Sequence, residues 1–406
     1  RESNKRSNGI VVTWMKEVMS LSDFIPLSIP NLSGNELAYV TEAVRDGWVS
    51  SVGPHVQKFE KEMADYLGLP FAIACMNGTA ALHVSLLLVG VQPDDEVLAP
   101  NLTFVATLNA IRYCFAHPVL MDSEWRTMGM DVDKLKDFLD RETKFIKGNT
   151  VNQKTGRVIR AILPMHTLGC PVDMDPLLEL CKNRNIRVIE DATESLGSSY
   201  RGRKAGTLAE VGCLSFNGNK IITTGGGGMI LTADPELARR AKHLTTTAKT
   251  DPVEYLHDEV GYNYRMVNVL AALGLGQLEQ LPDFVNKKRT NLKHYARLVE
   301  PLPGLTMFVE PDFAESNYWL YSLILDRNFP FSIRDLVQQF SAARIQVRPI
   351  WALMNSLPMY KDCQAYYCDT SLDIYRRTLN VPCSTHITEQ EIDRVVSVLQ
   401  RLTRGL

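Results

Sequence analysis

The sequence predicts an α/β fold: a mainly parallel sheet wrapped by helices, followed by a smaller α+β domain. Two observations carry this expectation. From about Pro70 to Leu231, short apolar runs alternate with amphipathic ones, the rhythm of strands joined by helical crossovers. Beyond Met266 that rhythm gives way to two helical patterns, then one strand and two further helices. At 406 residues and 45% hydrophobic, the chain is long enough to bury two cores. The change of pattern lies near Asp283–Asn291. We therefore expect an N-terminal extension over residues 1–25, a large domain over 26–285 and a small C-terminal domain over 286–406.

The elements follow in order. Ser33-Gly34-Asn35-Glu36 ahead of Leu37, Val40 and Val44 reads as a capped amphipathic helix. Strand candidates are Phe71–Cys75, Glu96–Ala99, Pro118–Met121, Ala161–Pro164, Arg187–Glu190, Val211–Phe216 and Met229–Thr232. Helical patterns between them include Thr79–Leu88, Asp175–Asn183 and Pro235–His243. Met266–Leu281 reads as a buried helix and Val285–Val299 as an amphipathic one. Tyr318–Leu325 reads as a strand, with Arg334–Ala343 and Thr388–Leu402 as closing helices.

Composition narrows the function classes. A net charge of −2 offers no broad basic surface for nucleic acid or anionic membrane. The longest apolar stretches, such as Val84 to Val91, fall short of a bilayer span. The chain opens on Arg1 rather than Met, as a processed or partial chain would, and its first nine residues read as disordered. Eight cysteines with no C-x-x-C pair point to a reduced, cytoplasmic enzyme without a metal site.

Three local features carry the chemistry. Lys220 follows the apolar run Val211–Phe216 and stands just before Gly225 to Gly228. Poor solvation at such a strand end favours a neutral, nucleophilic amine. Arg187-Val188-Ile189-Glu190-Asp191 ends a second apolar strand in an acid, and functional side chains collect at the carboxyl ends of parallel strands. A buried carboxylate there needs a cationic partner. Asn77-Gly78-Thr79-Ala80 turns a third strand into an apolar helix, whose free N–H groups would seat a phosphate. A Schiff-base lysine and an acid for a pyridinium nitrogen are the parts of a pyridoxal phosphate (PLP) site.

Together the motifs Asn77–His83, Pro100–Thr107, Glu190–Ala192, Ser215-Phe216 with Lys220, and Gly261–Met266 resemble the DegT/DnrJ/EryC1/StrS family. The resemblance runs from about Pro26 to the C-terminus. It implies PLP fold type I, the aspartate aminotransferase-like fold, and transamination of a nucleotide-linked keto-sugar. Gly47–Gly53, Ile189–Gly197 and Val347–Trp351 resemble the legionaminic acid subgroup most. That subgroup aminates C-4 of a 4-keto-6-deoxy-N-acetylhexosamine nucleotide, linked to UDP or GDP.

The resemblance also implies roles. Lys220 would bind the cofactor covalently and move a proton, and Asp191 would keep the pyridine nitrogen protonated. Phe104 would stack on the ring, while Gly78, Thr79 and Ser215 would cradle the phosphate. Asn263 would reach the phosphate from the neighbouring subunit of a homodimer. Substrates would be L-glutamate and the sugar nucleotide, in a ping-pong sequence. Arg348 and Trp351 are candidates to line the sugar-nucleotide pocket, and His55 to border it; an arginine fork suits phosphate oxygens. His83 and His166 sit in apolar runs and read as core histidines.

Two departures stand out. Glu194 occupies a position where many relatives carry Gln, which hydrogen-bonds the cofactor's phenolic oxygen; an ionised Glu194 cannot donate there. Gly226 replaces the acid of a Gly-Glu-Gly-Gly turn. Other readings remain: a PLP-dependent sugar dehydratase, against which Lys220 speaks, and a PLP-binding regulator, against which the balanced charge speaks. A Rossmann domain is disfavoured because the glycine run precedes a strand instead of opening a helix.

Overall fold

The computed structural model describes residues 23–251 and 253–404. The expected flexible extension over residues 1–25 therefore lies outside the described residues, except for 23–25. Its last residue, Ile25, is buried and forms a parallel bridge to Ile345.

The central sheet has eight strands: β1 (Phe71–Cys75), β2 (Glu96–Pro100), β3 (His117–Met121), β4 (Ile159–Ile162), β5 (Arg187–Asp191), β6 (Val211–Ser215), β7 (Gly228–Thr232) and the short β11 (Ala365–Tyr366). Their spatial order is β1-β7-β6-β5-β4-β2-β3-β11. All neighbours are parallel except those of β7, which runs antiparallel to both β1 and β6. The glycine run Gly225–Gly228 leads straight into β7, forming the return of a hairpin-like connection.

Alternation along the strands builds the layers. Ile73 and Cys75 of β1 face helices α3 (Gly78–Leu88), α4 (Val105–Tyr113) and α7 (Pro235–Thr245). Ala72 and Ala74 face α2 (Pro54–Leu67) and α8 (Asn268–Leu278). At the other end of the sheet, Leu98, Val119 and Val188 pack on α5 (Val132–Arg141) and α6 (Met174–Asn183). Period-two alternation with apolar residues on both faces is what a sheet covered twice requires. Helix α3 is buried nearly all round, because it runs beneath the sheet from the phosphate-seat turn.

A second sheet, in the order β8-β9-β12-β10, comprises β8 (Leu305–Met307), β9 (Tyr321–Leu325), β12 (Thr378–Val381) and β10 (Arg348–Pro349), all antiparallel. It packs against α10 (Ile333–Ala342) and α12 (Glu389–Thr403), the latter opened by a Thr388/Glu391 capping box. Helix α9 (Leu281–Val299) joins both cores: Leu281 and Phe284 pack beside the central sheet, and Leu292, Tyr295 and Val299 beside the second. The strand expected at Tyr318–Leu325 begins only at Tyr321, because Tyr318 takes a left-handed φ of 48° and turns the chain.

Lys288 of α9 is buried, and its ammonium donates to the carbonyls of Trp319 (2.8 Å) and Cys383 (2.7 Å). Burial depresses its pKa, and two carbonyl acceptors keep the amine satisfied. Lys288→Ala removes those donors and leaves a void. It is expected to destabilise the fold by about 3 kcal/mol, seen as a lower urea midpoint with unchanged slope.

Candidate active site

The carboxyl ends of β5 and β6 open, with the N-terminus of α3, into a cavity of about 540 Å³. Arg348 and Asn380 of the second sheet, with Trp319 and Leu320 just before its strand β9, close the other side.

At the α3 end, the Asn77 side chain accepts the Ala80 N–H (2.8 Å) and the Asn77 carbonyl accepts that of Ala81 (3.2 Å). The N–H groups of Gly78 and Thr79 have no acceptor among the described residues, and both residues line the cavity. Unpaired donors at a helix N-terminus form an anion seat. A Cβ on Gly78 would come within 2.9 Å of the Ser215 Cβ, so only glycine lets Ser215 close against this turn. Gly228 is equally constrained: its Cβ would lie 2.4 Å from the Asn77 carbonyl carbon and oxygen. The glycine run thus owes its composition in part to close passage of backbone under the Asn77–Gly78 turn.

Asp191 ends β5 and is almost wholly buried. One carboxylate oxygen accepts the Thr107 hydroxyl (2.8 Å), the other the Thr193 hydroxyl (2.7 Å). No cation pairs with Asp191 among the described residues; its side-chain partners are the neutral hydroxyls of Thr107 and Thr193, which line the cavity, while Asp191 itself is not among the lining residues.

Lys220 projects into the same cavity. Its Nζ donates to Glu194 Oε1 (3.3 Å) and stands 3.9 Å from the centre of the Trp319 ring. The poor solvation expected at this position is therefore offset by an acid and an aromatic face. Glu194 accepts the Leu168 N–H (3.0 Å), and its carbonyl accepts the Asn317 amide (2.9 Å). Burial pushes the Glu194 carboxyl up to about 7, against the pull of Lys220 and the Leu168 N–H. The departure from Gln thus places a carboxyl that changes protonation near neutrality beside the lysine.

Phe104, Arg348 and Trp351 also line the cavity. Phe104 meets Trp351 edge-on at 6.4 Å, and Trp351 lies parallel to Trp319 at 6.4 Å. His55 and Asn263 are not among the residues lining it. His55 is buried in the first turn of α2, with Nδ1 3.2 Å from the Asn268 amide. Asn263 is exposed, and its neighbour Tyr264 accepts the Met76 N–H at 2.8 Å. His83 packs edge-on against Tyr113, Tyr262 and Tyr264, and burial lowers its pKa. His166 is sealed, Nδ1 accepting the Val172 N–H (3.2 Å) and Nε2 donating to Glu190 (2.7 Å). The sequence did not single out Trp319, Thr107, Thr193 or Asn380. Only Thr193, two residues beyond Asp191, carried a local signal, that of a threonine positioned to bond the preceding acid.

Glu194 gives a pH dependence with a defined sign. The folded chain holds this proton more tightly than the unfolded chain, whose value is near 4.5. Its contribution is fully present below that value and lost as pH rises through about 7. The loss is at most about 3 kcal/mol. In the cofactor-free protein, Glu194→Gln should flatten the fall of the urea midpoint between about pH 5 and pH 8. An equal fall in both proteins would assign the slope to other groups.

The chain matches the DegT/DnrJ/EryC1/StrS aminotransferase family over residues 30–400. It is 37% identical over 385 residues to the GDP-perosamine synthase of Caulobacter vibrioides, covering 93% of this chain and 98% of that protein. The dTDP-4-dehydro-2,3,6-trideoxy-D-glucose 4-aminotransferase of Saccharopolyspora spinosa is 30% identical over 394 residues, covering 93% and 96%. Among solved structures, the aminotransferase TlmJ from Streptoalloteichus hindustanus superposes with a TM-score of 0.84 at 27% identity, over 94% of this chain and 99% of that one. Sheet order, cavity and match over nearly the whole length agree: the chain belongs to the DegT/DnrJ/EryC1/StrS aminotransferase family.

Proposed function

We propose that this chain moves an amino group from L-glutamate to the keto carbon of a nucleotide-linked sugar, using the family's cofactor, PLP. The observation that carries the reading is the meeting of three features around one cavity: open N–H groups at Gly78 and Thr79, an uncompensated Asp191 carboxylate, and the Lys220 amine. Each fits a part of PLP. A helix N-terminus without Cβ at Gly78 suits its phosphate, a buried acid lacking a cation suits its ring nitrogen, and a primary amine suits its aldehyde.

When bound, the cofactor supplies an electron-withdrawing ring and a carbon that carries nitrogen between substrates. The chain's own residues do the rest. Gly78, Thr79 and Ser215 would hold the phosphate. Asp191, oriented by Thr107 and Thr193, would keep a proton on the ring nitrogen, and Phe104 would cover the ring face. Lys220 Nζ would hold the cofactor and move a proton at the reacting carbon, with Glu194 as the adjacent acid able to accept or return one. In the cofactor-free chain the Trp319 ring covers the Lys220 amine. Arg348 and Trp351 would contact the sugar nucleotide.

Amination at C-4 is favoured within this reading. The Saccharopolyspora relative acts on a 4-dehydro sugar as a 4-aminotransferase. A 4-keto-6-deoxy-N-acetylhexosamine nucleotide, UDP- or GDP-linked, is the first substrate to try, on the resemblance of Ile189–Gly197 and Val347–Trp351. We also read the protein as a homodimer. Asn263 is exposed and outside its own chain's cavity, as expected of a residue serving the partner's phosphate seat. His55 would border the site only in that assembly. A cytoplasmic location suits nucleotide-sugar substrates and eight free cysteines, six of them buried. Among the described residues, no helix is long and apolar enough to cross a membrane.

Purified protein with PLP should show the absorbance of a lysine-bound cofactor, converting to the pyridoxamine form with L-glutamate. Lys220→Ala should lose the first band, and Asp191→Ala should slow conversion by about a hundredfold or more. A spectrum that glutamate leaves unchanged would refute the donor assignment, and absence of PLP binding the whole reading. Asn263→Ala should weaken PLP binding about tenfold, with the dimer intact by sedimentation. Unchanged affinity would remove Asn263 from the site.

A further inference from the structure

The second sheet presents a polar row to the cavity. Arg348 of β10 stands opposite Asn380 of β12, and Asn380 opposite Ser322 of β9. Cross-strand partners share a sheet face. The alternate residues Tyr321, Leu323, Leu379 and Val381 point the other way, into the apolar core. Leu320, Asn380 and Arg348 line the cavity.

Two members of the row are held to each other. The Ser322 hydroxyl, buried, donates to Asn380 Oδ1 at 3.0 Å. That bond occupies the acceptor and fixes which way the amide faces. Asn380 is 3% exposed, yet its Nδ2 has no partner among the described residues. Arg348 makes no ion pair or side-chain hydrogen bond among them either. That amide N–H opens on the cavity, and the exposed Arg348 guanidinium beside it adds positive charge. The unpaired nitrogens of the row are all donors. The ligand chemistry that satisfies it is an oxyanion.

We propose that Ser322, Asn380 and Arg348 form an oxyanion-binding subsite facing Lys220 across the cavity. Asn380 and Arg348 contact the anion, and Ser322 is a positioning residue that orients the amide. The proposal rests on the functional reading above, in which both substrates are anionic. The oxyanion is either a carboxylate of the amino donor or a diphosphate oxygen of the sugar nucleotide.

The test is calorimetric titration of the full-length, PLP-loaded protein with 2-oxoglutarate and, separately, inorganic pyrophosphate. Asn380→Ala should weaken at least one probe about tenfold, and Arg348→Ala by about tenfold or more. Loss confined to 2-oxoglutarate assigns the subsite to the amino donor; loss confined to pyrophosphate assigns it to the nucleotide. Asn380→Asp, similar in size but lacking the donor, should lose more than the alanine variant. Ser322→Ala should give a partial loss that Ser322→Thr restores, a pattern that general destabilisation does not produce. Circular dichroism confirms that each variant is folded. Wild-type affinity for both probes in Asn380→Ala and Asn380→Asp overturns the subsite. So does a wild-type protein that binds neither. Conversion by L-glutamate is recorded on the same samples. Its failure would overturn the functional reading, while the titrations would still decide the subsite.

Discussion

The Asp191 carboxylate is the constraint around which the cavity is organised. It lies at the carboxyl end of a central strand, sealed from water, with two threonine hydroxyls and no cation among the described residues. A carboxylate so placed gains from a cationic partner, which on the proposed function is the ring nitrogen of PLP. Other features serve the same arrangement. Thr107 comes from α4, one turn beyond Phe104. Thr193 and Glu194 come from the loop that leaves β5. Lys220 comes from the connection between β6 and β7. Three separate stretches of chain meet there because parallel strands deliver their carboxyl ends to one edge of the sheet.

Close packing fixes the opposite wall. The turn at Asn77–Gly78 is squeezed between Ser215 and Gly228, at distances that leave no room for added methyl groups. The open N–H groups of α3 are therefore held by backbone, not by adjustable side chains. Trp319 is placed from the other direction. Its carbonyl accepts the buried Lys288 ammonium, its indole N–H donates to the Asn219 carbonyl at 2.6 Å, and its ring covers the Lys220 ammonium. One helix, α9, thus ties the aromatic wall to the same frame that carries the lysine.

The sequence by itself determined the elements and the residues whose chemistry is local. Period-two and helical patterns located seven of the eight strands of the central sheet, all but the two-residue Ala365–Tyr366, and several of its helices, because burial on one or both faces imposes those periods directly. Lys220, Asp191 and the Asn77–Thr79 turn were legible because each sits at a strand end beside a turn. Tertiary structure alone decided which distant residues share a surface. Trp319 had read as a strand residue until the left-handed turn at Tyr318 put it in the cavity. Asn380 had carried no signal, since its meaning comes from Arg348 and Ser322 on neighbouring strands, 32 and 58 residues away along the chain. His55 and Asn263 show the converse: neither nearness to a motif nor membership of one brought them to their own chain's cavity. Glu194 was visible as a departure, but its charge depends on burial and on Lys220, Leu168 and Asp191 together. Periodicity and turn chemistry act over a few residues and are written in order along the chain. Electrostatic environment and cross-strand adjacency depend on distances that exist only after folding.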